Sequence, residues 1–165
     1  MIVIRELKEE DLRAAFLINQ ANVPAVGEET FQSFKALWQC SCVALVIELD
    51  SVVEGFCIAM DGDSTYQSPN YLYFKENYKN FIYLDRIALA SSAQNQGFGP
   101  QLYEYVINHF PSMVFFTLEV NIKPPNEGSL RFHKREGFEV IAEEETRPGK
   151  IVALMVKNIK DSSAF

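Results

Sequence analysis

Cysteine is scarce and oddly spaced. Cys40, Cys42 and Cys57 are three in number, with two of them one residue apart, which suits neither a disulfide framework nor the paired spacing of a zinc site. They read as reduced, partly buried thiols of a cytoplasmic protein, and no metal is expected. Basic charge is in the minority: 15 Lys and Arg against 22 Asp and Glu leave a net charge of -7. A field of that sign repels nucleic acid and anionic lipid and mildly attracts amines, so neither nucleic acid nor a membrane is an expected partner. Apolar runs long enough to span a bilayer, ~20 residues, are missing. The opening MIVIRELKEEDL carries charge where a secretory signal would have its apolar core. Repeats, low-complexity tracts and linker-like stretches are missing too. Residues 1–160 are therefore expected to form a single domain, with 161–165 as a C-terminal tail.

What is present is core material. Hydrophobic residues make up 48% and aromatics 13% of 165 residues, enough for one domain of ordinary size. Residues 1–6, with Ile2 and Ile4 against Val3 and Arg5, predict a strand. Residues 8–18 predict a helix, with Leu12, Ala15, Phe16 and the following Asn19 at helical steps, and Asn22-Val23-Pro24-Ala25-Val26-Gly27 breaks that helix. A second helix is expected over about 29–39, burying Phe31, Phe34, Leu37 and Trp38. Residues 41–49 and 52–60 flank Asp50-Ser51 as a hairpin. Residues 61–80 hold Tyr66, Tyr71, Tyr73, Phe74 and Tyr78 in a long connection, either a lid or binding loop or an excursion whose aromatics patch the core.

The stretch 81–106 organises the chain: a short apolar run for a buried strand, a small polar loop, then Gly97-Phe98-Gly99-Pro100. Proline is tolerated in a helix's first turn, so a helix starts near Gly99, with Leu102, Val106 and Phe110 as its apolar stripe. Free backbone N–H groups at the positive end of such a helix make an anion site, most often for phosphate. The third glycine of a dinucleotide loop and the Gly-Lys-Ser/Thr of a P-loop are both missing. Residues 113–120 predict a strand that Pro124-Pro125 stops. Asn126 caps a helix over 127–135, which Gly137 ends. Residues 138–142 and 151–156 form a last pair of strands around Arg147-Pro148-Gly149. The result is a mixed α/β (α+β) chain: a central mixed, mostly antiparallel sheet of about seven strands flanked by four helices.

Gln94-Asn95-Gln96-Gly97-Phe98-Gly99 resembles the Gln/Arg-x-x-Gly-x-Gly/Ala signature of the GNAT superfamily of N-acetyltransferases, whose loop holds the pyrophosphate of acetyl-CoA. Asn126-x-x-Ser129-x-x-Phe132-His133-Lys134-x-x-Gly137-Phe138 resembles that family's second motif, and the element order agrees with both. The resemblance implies acetyl-CoA as cosubstrate. It would be bound by Ile87, Ala88 and Leu89, by Gln94, Asn95, Gln96, Gly97, Phe98, Gly99 and Gln101, and by Asn126, Ser129 and His133. Arg131, Lys134 and Arg135 form either a solvated helix face or a contact to the 3′-phosphate of CoA. Pro100 removes one donor from the phosphate loop.

The implied reaction is acetyl transfer to a primary amine of a small molecule or peptide by direct attack. A cationic amine must first lose a proton. Asp85, two and four residues before Ile87 and Leu89 and so on one face with them, is the first candidate base and Glu119 the second. An ion pair with Arg86 or Arg5 is the structural alternative for Asp85. His133 stands where the family commonly has a tyrosine that protonates the departing thiolate; it is expected either to donate that proton or to fill the space and bond locally. A GNAT fold that binds CoA as a sensor or regulator without turnover is the rival expectation. A homodimer is compatible with the sequence.

Overall fold

The computed structural model describes residues 1–160, so the expected tail lies outside the described residues. In chain order come β1 (Ile2–Glu6), α1 (Leu12–Ala21), α2 (Phe31–Cys40), β2 (Val43–Leu49), β3 (Val52–Met60), α3 (Pro69–Asn77) and β4 (Phe81–Leu89). They are followed by α4 (Phe98–His109), β5 (Phe115–Lys123), α5 (Glu127–Arg135), β6 (Glu139–Arg147) and β7 (Lys150–Asn158). The seven strands form one sheet in the order β1-β2-β3-β4-β5-β7-β6. All neighbours are antiparallel except β4 with β5. The mixed, mostly antiparallel sheet is as expected, but five helices flank it rather than four.

The added helix is α3, inside the stretch expected as a long loop. Pro69 takes its first turn, where the missing N–H has no partner to lose. Tyr71 and Phe74 are buried by it, so part of the aromatic excursion is core. The last two strands are also longer than expected. Residues 143–145 are all Glu and hide the alternation of a strand, yet they pair with β7 at the sheet edge. Charge along an edge strand is a common guard against pairing with another chain.

Each face of the sheet has its own core. On the first, Leu12 and Ala15 of α1, Phe34 of α2, and Tyr71 and Phe74 of α3 pack on Phe56, Ile58, Tyr83 and Leu154. On the second, Leu102, Tyr103 and Val106 of α4 cover Leu45, Ile82, Phe116 and Met155. Phe34 and Phe56 are fully buried, with ring centroids 5.3 Å apart edge to face; truncating either to Ala would cost about 3–5 kcal/mol. Thr30 and Ser33 cap α2 reciprocally, which starts that helix at Phe31 rather than Glu29.

Two departures from regular pairing shape the centre. β4 and β5 pair only through Phe81 with Phe115, Ile82 with Phe116, and Tyr83 with Thr117, although each strand has 9 residues. Beyond that point they diverge and leave a cleft with an unpaired edge of β4. The second is a bulge in β4: Arg86 is opposite Ile58 and Leu84 is opposite Ala59, so Asp85 is the extra residue. An extra residue reverses the alternation of side chains. Asp85 therefore does not share a face with Ile87 and Leu89, as strict alternation predicted. It shares the face of Tyr83 and the half-buried Tyr66, while Ile87 and Leu89 pack with the α4 side.

Candidate active site

The loop before α4 is built for close approach of a ligand. Gly97 caps the helix with φ +81°, and no side chain caps the N–H groups there. A left-handed residue is easiest as glycine, and a Cβ at Gly97 would project into open space. The first four N–H positions of a helix lack an internal partner; here these are Gly97, Phe98, Gly99 and Pro100, and proline has no N–H to offer. Gln101 lies one position past them, so its N–H belongs to the helix. Gln94 Nε2 donates to the Leu89 carbonyl at 3.2 Å and Gln96 Nε2 to the Ser92 carbonyl at 2.6 Å. These bonds tie the loop to itself and to the end of β4.

A groove of about 650 Å³ runs along this loop, bounded by Ile87, Ala88 and Leu89 of β4, by Gln94, Asn95, Gly97, Phe98 and Gly99, and by Ser129, Phe132, His133 and Arg135 of α5. Of the residues expected to bind a cofactor, Gln96, Gln101 and Asn126 do not line it. Among the three clustered basic residues, Arg135 alone lines it; Arg131 sits 3.9 Å from Glu127 on the exposed helix face.

The groove opens into a second cavity of about 390 Å³ at the splayed strands. The two share Asn22, Ile87, Ser129 and His133. The second cavity is lined by Pro24 to Gly27, Tyr66, Asn70, Asp85, Glu119, Asn121, Asn126, Arg147 and Lys150, among others. The extended break after α1 and the aromatic stretch before α3 thus form its walls. Volumes of this order suit small ligands.

The two candidate bases differ in how free they are. Asp85 is almost fully buried, and both of its oxygens are in use: the Tyr66 hydroxyl donates to Oδ1 at 2.7 Å and Arg86 Nε to Oδ2 at 2.7 Å. Arg86 in turn donates to Asn19 at 3.0 Å, to the Gly27 carbonyl at 3.2 Å and to Glu29 at 3.0 Å. The pair pins the loop that walls the cavity. Glu119, on the same face, accepts from the Tyr83 hydroxyl through Oε2 at 2.6 Å and has no ion pair within 4.0 Å among the described residues. Burial, with the neighbouring Asp85 charge adding to it, pushes its carboxyl up to about 7; hydrogen bonds from Tyr83 and Asn70 and the Lys150 charge work the other way. It is enclosed by protein yet keeps some surface on the cavity.

His133 does face the cleft, but it has no free N–H. Its Nδ1 is 2.8 Å from the Ser129 carbonyl, which can only accept, so Nδ1 carries the proton. Nε2 is then the acceptor for the Tyr103 hydroxyl at 2.7 Å. Burial lowers the pKa of the ring and keeps it neutral. The expected donation to a departing thiolate has no proton to use. Asn126 caps α5 by accepting from the Ser129 N–H at 3.3 Å.

The sequence model described as the Acetyltransferase (GNAT) family matches residues 4–138. The chain belongs to that family. Among solved structures, the GNAT domain resembles the ribosomal-protein-S18-alanine N-acetyltransferase from Escherichia coli, with a TM-score of 0.74 and 19% identity over 96% of this chain and 94% of that one. It is similar to Ard1 from Thermoplasma volcanium, at a TM-score of 0.76 and 18% identity over 96% and 97% of the two chains. The Salmonella typhimurium protein yncA, solved with its cofactor acetyl-CoA, gives a TM-score of 0.69 and 18% identity over 96% and 94%. At these identities the likeness is one of fold. No curated protein sequence matches the chain.

Several lining residues of the GNAT domain carry no signal in the sequence. Tyr66 stands out only as one aromatic of the expected long connection, among seven tyrosines in the chain, and Tyr103 falls off the apolar stripe expected for its helix. Arg147 and Lys150 flank what reads only as a turn. Glu119 is the single charge in the strand expected over 113–120, and that is the hint the sequence offers.

Proposed function

We propose that this GNAT domain transfers an acetyl group from acetyl-CoA to a primary amine, with Glu119 as the general base. The observation that carries the reading is the junction of the two cavities: a glycine-capped helix start with free N–H groups lies at one end, and an unpaired carboxyl of raised pKa lies at the other. Gly97, Phe98 and Gly99 would hold the pyrophosphate through backbone N–H groups. The unpaired edge of β4 over Ile87, Ala88 and Leu89 would meet the pantetheine amides. Acetyl-CoA supplies an acetyl group activated as a thioester, whose carbonyl carbon gains a bond to nitrogen as the bond to sulfur breaks.

The protein's own residues handle the protons and the positioning. An amine cation with a reference pKa near ~10 is unreactive at neutral pH, and Glu119, with a pKa near the working pH, is matched to accept its proton. Tyr83 and Asn70 hold the Glu119 carboxyl by side-chain hydrogen bonds at the wall of the cavity. Asp85 and Arg86 hold Tyr66 and the loop ending at Gly27, which makes them positioning residues. Backbone N–H groups on the open edge of β4 would polarise the thioester oxygen. A thiol with a reference pKa near ~8.5 leaves as a thiolate without help and takes its proton from water.

A second reading, a CoA-binding sensor without turnover, draws on the absence of a free N–H on His133. Thiol release from acetyl-CoA across a panel of primary amines separates the two. Amine-dependent release that falls about 10²-fold in Glu119→Gln supports transfer, and binding without release supports the sensor.

A further inference from the structure

The acceptor cavity has a cationic side that the chemistry above does not use. Arg147 and Lys150 pair with each other across the last hairpin and both line the cavity. Neither has a carboxylate within 4.0 Å among the described residues, in contrast to Arg86 and Arg5, whose guanidiniums are taken up by Asp85 and Glu29 and by Asp11 and Glu48.

Register explains why these two charges face Glu119. Glu119 is opposite Leu154 and Asn121 is opposite Val152; Leu154 and Val152 belong to the first-face core. Lys150 follows the same alternation two residues before Val152, and its partner Arg147 shares its face. The acidic run nearby is divided by the same register. Glu143 and Glu145 are opposite Ala153 and Ile151 and so point to the other face, and the irregularity between Glu145 and Arg147 brings Arg147 back. Glu144 alone of the three shares the face, and it bonds to neither cation.

We infer that the acceptor is a primary amine that also carries a carboxylate, with Arg147 and Lys150 holding the acid while the nitrogen meets Glu119. This rests on the acetyl-transfer reading. Leu154 and Lys150 are four residues apart on one strand, roughly 13 Å of backbone, and the long cationic side chains close part of that gap. The carboxylate therefore lies several bonds from the nitrogen, as in a short peptide with a free N-terminus, rather than on the same carbon as in an α-amino acid. A polyamine or aminoglycoside would set a second positive charge against the two cations, and like charges in a confined cavity disfavour the complex.

The test uses diglycine, triglycine and tetraglycine, each as free acid and as C-terminal amide, alongside spermidine. The acid should exceed its amide about tenfold in kcat/KM at one or more of these lengths, with the difference in KM. In a variant with Arg147→Gln and Lys150→Gln together, the acid-to-amide ratio should fall to about one. Preference for the amides or spermidine would overturn the anionic acceptor and leave acetyl transfer standing. No transfer to any of these amines would also overturn it, and a melting shift with acetyl-CoA then decides separately whether the cosubstrate reading stands.

Discussion

The hydroxyl of Tyr103 on α4 lies 2.7 Å from Nε2 of His133 on α5, and the Ser129 carbonyl fixes the proton of that ring on Nδ1. Two motif-bearing helices are thereby joined through a neutral imidazole. The position that invites a proton donor in the sequence is occupied by a residue with no proton left to give.

His133→Phe should therefore leave kcat within about threefold of the unmutated protein between pH 6 and 9. The loss should appear in stability, since a buried Tyr103 hydroxyl without its acceptor costs about 1–3 kcal/mol. A tenfold or larger fall in kcat that follows the titration of an imidazole would restore His133 as an acid.

Glu119→Gln should lower kcat/KM by about 10²-fold or more and remove a limb of the pH profile near the value of about 7 set by burial. In the unmutated protein activity should rise with pH through that limb. If the limb persists in the Gln variant, some other group is the base.

The same carboxyl makes a stability prediction. Its pKa is raised in the folded protein, so the folded state binds the proton more tightly than the unfolded one, and stability falls as pH climbs from about 4.5 to about 7. Glu119→Gln removes this dependence and should be relatively stabilising at pH 8, by roughly 3 kcal/mol at most. Denaturant midpoints at pH 5 and pH 8 measure it; equal differences between the two proteins at both pH values would contradict the shift.

Asp85→Asn should behave differently from Glu119→Gln. It takes a charge from the buried pair with Arg86 while Glu29 still holds the guanidinium, so a loss of about 2 kcal/mol in stability is expected. Activity should fall through a raised KM as the loop at Gly27 loosens, with the pH limb retained but moved to lower pH, because the Asp85 charge helps to raise the Glu119 carboxyl. Loss of the limb in Asp85→Asn would return the base to that residue.

The sequence carries the frame of this protein in its glycines, prolines and caps. Gly97, Asn126 and Gly137 act on the backbone of their own neighbourhood, so the helices they start or end could be read directly. Asp85 could not be read in the same way. Its face depends on a bulge that arises from pairing with Ile58 and Ala59, far away in the chain, and a single extra residue reverses every assignment made by alternation. The family motif points to His133, but what occupies its second ring nitrogen depends on Tyr103, which no spacing rule connects to it. α3 was hidden because aromatic residues on both of its sides mask any stripe, and β6 because its glutamates face solvent along an edge.

The central claim is that the glycine-capped groove holds acetyl-CoA, and the ligand-induced melting shift tests it most directly. At ~100 times the dissociation constant, bound ligand adds about 2.7 kcal/mol, a rise of roughly 5–11 °C for a domain of this size. Gly97→Asp should lower the unliganded melting point slightly, because a non-glycine residue is strained at a φ of +81°. It should also abolish the shift, by setting a carboxylate against the pyrophosphate. An unmutated protein that shows no shift with acetyl-CoA, or a Gly97→Asp variant that shifts as much as the unmutated protein, would contradict the account.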